Sequence, residues 1–205
     1  MDQQISSHSP YSFKKLTTGE LVRKLIHISG VFLPLSFYFL PLNLIKWAVG
    51  VGFALFLTVD LLRLHCTSVQ KIYDSIFGKF TREYEKHRLT GATILAASSF
   101  FTIMVFPREI AVIVLFYAIL SDGTASIVGQ WKGKRILIGE KTLEGTLSFL
   151  VVSIIIAILY KDLPFWLRVL SAIFSTILEV IDLGIDDNIS IPIGTGLFLA
   201  ILKKI

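Results

Sequence analysis

Cysteine is nearly absent. Cys66 is the only one in 205 residues, so no intrachain disulfide can form and a disulfide-stapled scaffold is excluded. Charge is scarce as well. Asp, Glu, Lys and Arg make up 17% of the chain, against about 25% in soluble domains. Apolar residues reach 54% and mean hydropathy is +0.72, which excludes both an ordinary soluble domain and a disordered chain. Alternation of apolar and polar residues is missing from runs such as FLVVSIIIAILY, residues 149–160, which argues against a membrane β-barrel. No internal repeat is visible.

What is present is a series of apolar stretches near the length of a bilayer-crossing helix, about 20 residues. Seven are expected: Ile26–Leu42, Leu44–Leu62, Gly91–Phe106, Ile110–Val128, Leu143–Tyr160, Pro164–Leu183 and Ile189–Leu202. Six spans with one re-entrant segment is the alternative. The fold class is therefore all-α, a polytopic transmembrane helical bundle. Residues 1–19 read as a flexible polar tail and residues 20–205 as a single transmembrane catalytic domain. No apolar core precedes a small-residue cleavage site near the start, so the first span is expected to be retained.

Basic residues set the orientation. Of 20 Lys and Arg residues, only Lys46, Arg108, Lys161, Arg168, Lys203 and Lys204 fall on the side opposite the N-terminus. The N-terminus is expected to be cytoplasmic, with Trp47, Tyr160 and Trp166 at the outer interface. This one-sided distribution accounts for the net charge of +5, so no nucleic-acid partner is expected. Residues 63–90 read as an amphipathic cytoplasmic segment, with Ile72, Ile76, Phe77, Phe80 and Tyr84 among Lys71, Lys79, Arg82, Lys86 and Arg88.

Ionisable residues inside apolar spans cost about 2.5–3.5 kcal/mol each on insertion scales and mark functional positions. Asp122 interrupts the fourth span, Glu144 opens the fifth, Glu179 and Asp182 close the sixth, and His27 opens the first. The expected topology turns all of these, with Asn188, toward one cytoplasmic pocket. Asp60 with Arg63 reads as a structural pair. His8, His65 and His87 lack metal-ligand spacing. The stretch Gly129–Gly145, GQWKGKRILIGEKTLEG, leads straight into a helix. Glycines permit close approach of backbone to phosphate, cations neutralise it, and helix N-termini favour anions. Nearby carboxylates suit Mg²⁺, which bridges protein and phosphate oxygens. A Walker motif is rejected, because Gly139-Glu140-Lys141-Thr142 breaks the GK[ST] run and no strand leads into it.

These blocks resemble a known family. SDGTASIVGQWKGK from Ser121, followed by EKTLEGT from Glu140, is similar to the signature of membrane CTP-dependent lipid kinases, namely dolichol, phytol and CTP-dependent diacylglycerol kinases. It also resembles that of phosphatidate cytidylyltransferases. Glu20, Arg23, Lys24, His27 and Gly30 fit the amino-terminal block, Glu179 to Pro192 the late one, and RLTGAT at Arg88–Thr93 fits more weakly. The resemblance implies transfer of the γ-phosphate of CTP to a membrane lipid alcohol, most naturally a polyprenol or phytol type, with Mg²⁺, at the cytoplasmic face of a multi-pass protein. A CDP-lipid synthase is the first alternative and a non-enzymatic transporter or lipid-binding protein the second. The partners are then CTP, the lipid alcohol and the bilayer, with a homo-oligomer left open.

The same resemblance assigns roles. Asp122 is a metal ligand or the base that orients the lipid hydroxyl. Lys141 binds phosphate and Glu144 metal, while Glu179 and Asp187 add to the metal site. Arg23, Lys24, His27, Lys134, Thr142 and Asn188 bind nucleotide or phosphate. Gly123, Gly129, Gly133 and Gly145 allow close approach, unless they serve helix packing.

Overall fold

The computed structural model describes residues 17–181 and 183–204. The first sixteen residues of the expected tail, and Asp182, lie outside the described residues. Helix α1, Thr18–Ser29, is capped by Thr17, whose hydroxyl accepts from the Glu20 N–H at 3.3 Å. α2 is Phe32–Phe39 and α3 is Leu42–His65. The segment 63–90 resolves into α4, Thr67–Phe77, then a turn and a short 3-10 helix at Glu83–His87. α5 is Gly91–Val105, with Thr90 as its N-cap. α6, Arg108–Phe116, runs through a π-helical segment, Tyr117–Ser121, into α7, Asp122–Lys132. A hairpin of β1, Ile136–Ile138, and β2, Lys141–Thr142, precedes α8, Leu143–Leu159. α9 is Phe165–Val180 and α10 is Asp187–Leu202.

The continuous helix Arg108–Lys132 forms the axis of the bundle. Ile110 to Leu115 are buried on every side, as in a helix enclosed by others. α2, α8 and α10 pack against α6; α1 and α8 pack against α7; α9 joins α8 to α10; α5 joins α10 to α3. Between helices the interior carries hydroxyl pairs: Ser153 Oγ donates to Ser121 Oγ at 2.9 Å, and Ser175 Oγ lies 2.7 Å from Thr195 Oγ1. Such bonds hold helices together where both faces of the interface are apolar. The outer surface is apolar instead, with Phe39, Trp47, Leu55, Val151, Leu159 and Phe165 exposed. An exterior of this kind suits lipid as solvent.

Among the described residues, three helices are long and apolar enough to cross a membrane: Thr18–Phe39, which joins α1 and α2, then Leu42–His65 and Arg108–Lys132. The first begins at Thr18 rather than the expected Ile26. α5, α8 and α10 are apolar but have 15, 17 and 16 residues. At a rise of about 1.5 Å per residue they span less than the roughly 30 Å of hydrocarbon. The glycine-rich stretch also departs from an all-helical reading, because it folds as a hairpin. Gly139, at φ 57°, turns the chain between the strands, where residues with side chains are strained.

Candidate active site

The π segment fixes the setting of Asp122. The Asp122 N–H reaches back to both Tyr117 O and Ile119 O, a local widening of the helix often found at functional positions. The carboxylate sits almost buried, at 8% exposure, where α1 crosses α7. There His27 Nε2 lies 3.2 Å from Ala118 O and 3.7 Å from Asp122 Oδ2. A carbonyl only accepts, so in this contact Nε2 carries the proton and donates it to Ala118 O, with the carboxylate just beyond hydrogen-bond distance. Gly123 makes this crossing tight: a Cβ there would stand 2.4 Å from Ile28 Cγ1. Lys141, Lys24, His27 and Arg82 all act electrostatically on Asp122.

The second half of the site is built on Lys141. The hairpin delivers its Nζ to Asp187 Oδ2 at 2.5 Å, on the first residue of α10, and to Glu179 Oε1 at 2.9 Å, near the end of α9. Glu179 is buried, and its other oxygen accepts from Thr146 Oγ1 at 3.1 Å. Burial pushes the Lys141 ammonium down, but Asp122, Asp187 and Glu179 outweigh it and hold the group above its ordinary range. Lys141 therefore stays charged at physiological pH. His27, Asp122, Lys141, Glu179 and Asp187 come from five separate segments and form one charged cluster.

Other expected site residues have different surroundings. Glu144 does not join the cluster; its Oε2 accepts from the Lys134 and Arg135 N–H groups at 3.0 and 3.4 Å and so holds the entry of the hairpin. The Lys134 side chain is exposed. Asn188 donates from N and Nδ2 to Asp186 Oδ1, within the cap of α10. Arg23 pairs with Glu20 at 2.5 Å. Asp60 and Arg63 form the expected structural pair, at 2.6 Å, and tie α3 to the loop before α5. Thr146 and Arg82 were missed by the sequence reading, since a threonine in a helix and an arginine in a basic segment carry no distinguishing pattern.

The glycines serve packing. A Cβ on Gly145 would meet Ala125 O at 2.8 Å and Gly129 Cα at 3.3 Å; one on Gly129 would meet Thr142 Oγ1 at 2.9 Å, and one on Gly133 would meet Thr142 Cγ2 at 2.7 Å. Thr142 Oγ1 in turn accepts from the Gly145 N–H at 3.2 Å and caps α8. These contacts hold α7 and α8 together and place Lys141 over the cluster. Gly145→Ala is expected to cost about 1–3 kcal/mol through forced separation of backbones. The check is thermal unfolding in detergent; a variant that melts with the wild type would show the crossing to be loose.

The residues fit a magnesium ion in part. Among the described residues no three of His, Cys, Asp and Glu are grouped to hold a metal by themselves. Mg²⁺, however, needs only one or two carboxylates when substrate phosphates and waters complete its shell. Asp187 and Glu179 meet that requirement, since both already touch one cation, the Lys141 ammonium.

Comparisons with known proteins add the following. No protein-family model matches the chain, and no solved structure does. An uncharacterized protein of Rickettsia prowazekii is 28% identical over 196 residues, which cover 91% of this chain and 96% of that one. The CTP-dependent diacylglycerol kinase 1 of Schizosaccharomyces pombe is 27% identical over 172 residues, 75% of this chain and 79% of the kinase. The protein of the same name from Saccharomyces cerevisiae is 26% identical, over 92% of this chain and 75% of the kinase.

Proposed function

We propose that this protein is a CTP-dependent lipid kinase that transfers the γ-phosphate of CTP to the hydroxyl of diacylglycerol within the membrane. The observation that carries this reading is the convergence of His27, Asp122, Lys141, Glu179 and Asp187 on one end of an apolar bundle. Similarity to kinases named for CTP and diacylglycerol supports it. The isoprenoid alcohol expected from the sequence has no such support, so diacylglycerol replaces it as the preferred acceptor.

In this mechanism the lipid enters sideways from the bilayer and the nucleotide from the cytoplasm. The lipid oxygen attacks the γ-phosphorus, the bond to the β-phosphate breaks, and CDP leaves. Asp122 orients the hydroxyl and takes its proton, while His27, whose Nε2–H is given to Ala118 O, packs beside the carboxylate. Lys141 shifts from Asp187 and Glu179 onto the phosphates and neutralises charge there. Transfer of this kind depends on positioning and charge neutralisation more than on covalent chemistry. Asp187 and Glu179 are the residues that would hold Mg²⁺, whose chemistry would be to neutralise phosphate oxygens when bound. Glu144 supports the hairpin that carries Lys141.

The shorter helices α5, α8, α9 and α10 complete seven crossings with the three longer ones, the N-terminus and the cluster lying on the cytoplasmic side. Protein in detergent with Mg²⁺, given CTP labelled at the α or the γ phosphorus, tests the reaction. Diacylglycerol, dolichol, phytol and phosphatidate serve as acceptors. Label from γ-CTP in diacylglycerol is the expected result. Label from α-CTP in phosphatidate would make the protein a cytidylyltransferase instead.

A further inference from the structure

The turn that follows α4 folds back to the start of α1 and encloses a cleft of about 350 Å³. Arg23 lines one wall, and Lys79, Phe80, Arg82 and Tyr84 line the other. The walls meet at Gly19, where a Cβ would stand 3.3 Å from Lys79 O.

The cleft has the chemistry of a nucleotide site. Its two acids already have cationic partners: Glu20 holds Arg23 at 2.5 Å and Glu83 holds Lys86 at 2.9 Å. Arg82 also lies in the field of Glu20 and Glu85, and Lys79 adds a further cation to the wall. The hydrogen bonding of Arg82 is incomplete, since its Nε is buried with no acceptor among the described residues. An unmet buried donor is costly, which favours a ligand that brings an acceptor to it, such as the carbonyl of a base or a sugar hydroxyl. Its Nη1 donates to the Tyr84 hydroxyl, and the guanidinium lies 5.5 Å from the Tyr84 ring centre. That ring is 51% exposed, so much of it is open for stacking. A guanidinium with a donor to spare beside an open aromatic ring offers a base both a hydrogen bond and a stacking face.

The cleft also connects to the cluster. His27 lies four residues from Arg23 and three from Lys24, so both neighbour it along α1. From Arg23 to His27 the helix climbs about 6 Å. Lys24, between them, interacts electrostatically with both Arg82 and Asp122.

Resting on the kinase reading above, we propose that this cleft seats the base and sugar of the donor nucleotide, with Arg82 and Tyr84 as its binding residues. The polar side of α1 then leads the phosphates to Asp122.

The test uses the full chain in detergent, with labelled CTP as probe in equilibrium dialysis and with steady-state kinetics in parallel. Tyr84→Ala and Arg82→Gln should each raise the Kd and KM for CTP by about tenfold, a loss of about 1.4 kcal/mol of binding energy. The KM for diacylglycerol should stay within about twofold of the wild type, while Arg82→Gln should also lower kcat, because Arg82 acts electrostatically on Asp122. Tyr84→Phe should bind CTP normally, because it keeps the ring. Unaltered CTP binding in a wild-type-active background overturns the cleft and leaves the kinase reading standing. So does a rise confined to the lipid KM, which would make the cleft a lipid headgroup site. A wild-type protein that binds no CTP overturns both. The two substitutions touch different side chains, so misfolding of one, seen as a lowered melting temperature, leaves the other to decide.

Discussion

Asp122→Asn is expected to lower phosphate transfer by about 10²–10⁴-fold, the range for loss of a positioned acid or base. The asparagine amide matches the carboxylate in shape, so the crossing of α1 over α7 should survive. What it lacks is the charge that Lys24, His27, Lys141 and Arg82 surround, and the basicity to accept the hydroxyl proton. The loss should therefore appear in kcat, with the KM for CTP within a few fold. Asp122→Glu should also be poor, because the Tyr117–Ser121 π segment and the near-complete burial fix where the carboxylate stands. A single-turnover measurement with γ-labelled CTP separates chemistry from product release. An asparagine variant that keeps a tenth of wild-type transfer would remove Asp122 from the chemistry.

Much of this site could be read from the sequence, because charge inside an apolar span is costly and its position is informative. Asp122, Glu179 and His27 stood out on that ground, and the structure sets Glu179 against Lys141, Asp122 within its field and His27 beside Asp122. Asp60 and Arg63 were legible from their three-residue spacing, and they pair at 2.6 Å. The parts that were not legible depend on packing. Nothing in YAILS encodes a π turn; its widened hydrogen bonding is set by the helices around it. Glycines at Gly129 and Gly145 look the same in sequence whether phosphate or another helix approaches them. Glu144 was placed with the metal on the strength of the family resemblance, yet the hairpin that no strand pattern foretold takes up its Oε2. The cleft at Arg82 arises only when the turn after α4 returns to α1, a contact across some sixty residues of chain. Span lengths were overestimated where apolar runs continue past the helix end, as at Ile181 and Leu183 after α9.

Asp60→Ala should be among the most destabilising single changes in the protein, although it lies outside the proposed chemistry. Asp60 and Arg63 are both almost fully buried. Arg63 Nε donates to Asp60 Oδ1, while its two terminal nitrogens donate to Glu85 O at 3.0 Å and Arg88 O at 2.6 Å. Asp60 Oδ2 accepts from Thr90 N and Oγ1 at 2.7 and 2.9 Å, which steadies the N-cap of α5. Alanine would leave a guanidinium buried without its counter-ion and two Thr90 donors unmet. Loss of one partner of a buried pair costs about 3–5 kcal/mol, against a total stability of roughly 5–15 kcal/mol for a typical protein. Thermal unfolding in detergent, followed by circular dichroism, gives the measurement. The double change Asp60→Leu with Arg63→Met should recover part of the loss, since it removes the stranded charge and keeps apolar volume. Recovery should be incomplete, because the double change takes from Glu85 O and Arg88 O the donors that Arg63 supplied, and the two Thr90 donors stay unmet. Those carbonyls belong to the loop that follows Arg82 and Tyr84, so the double variant should also bind CTP more weakly while its turnover per folded molecule holds. Asp122→Asn should do the reverse and keep its melting temperature while losing turnover. An Asp60→Ala protein that melts with the wild type would mean the pair contributes no net stability, and that α3 and the loop before α5 are joined by their apolar contacts alone.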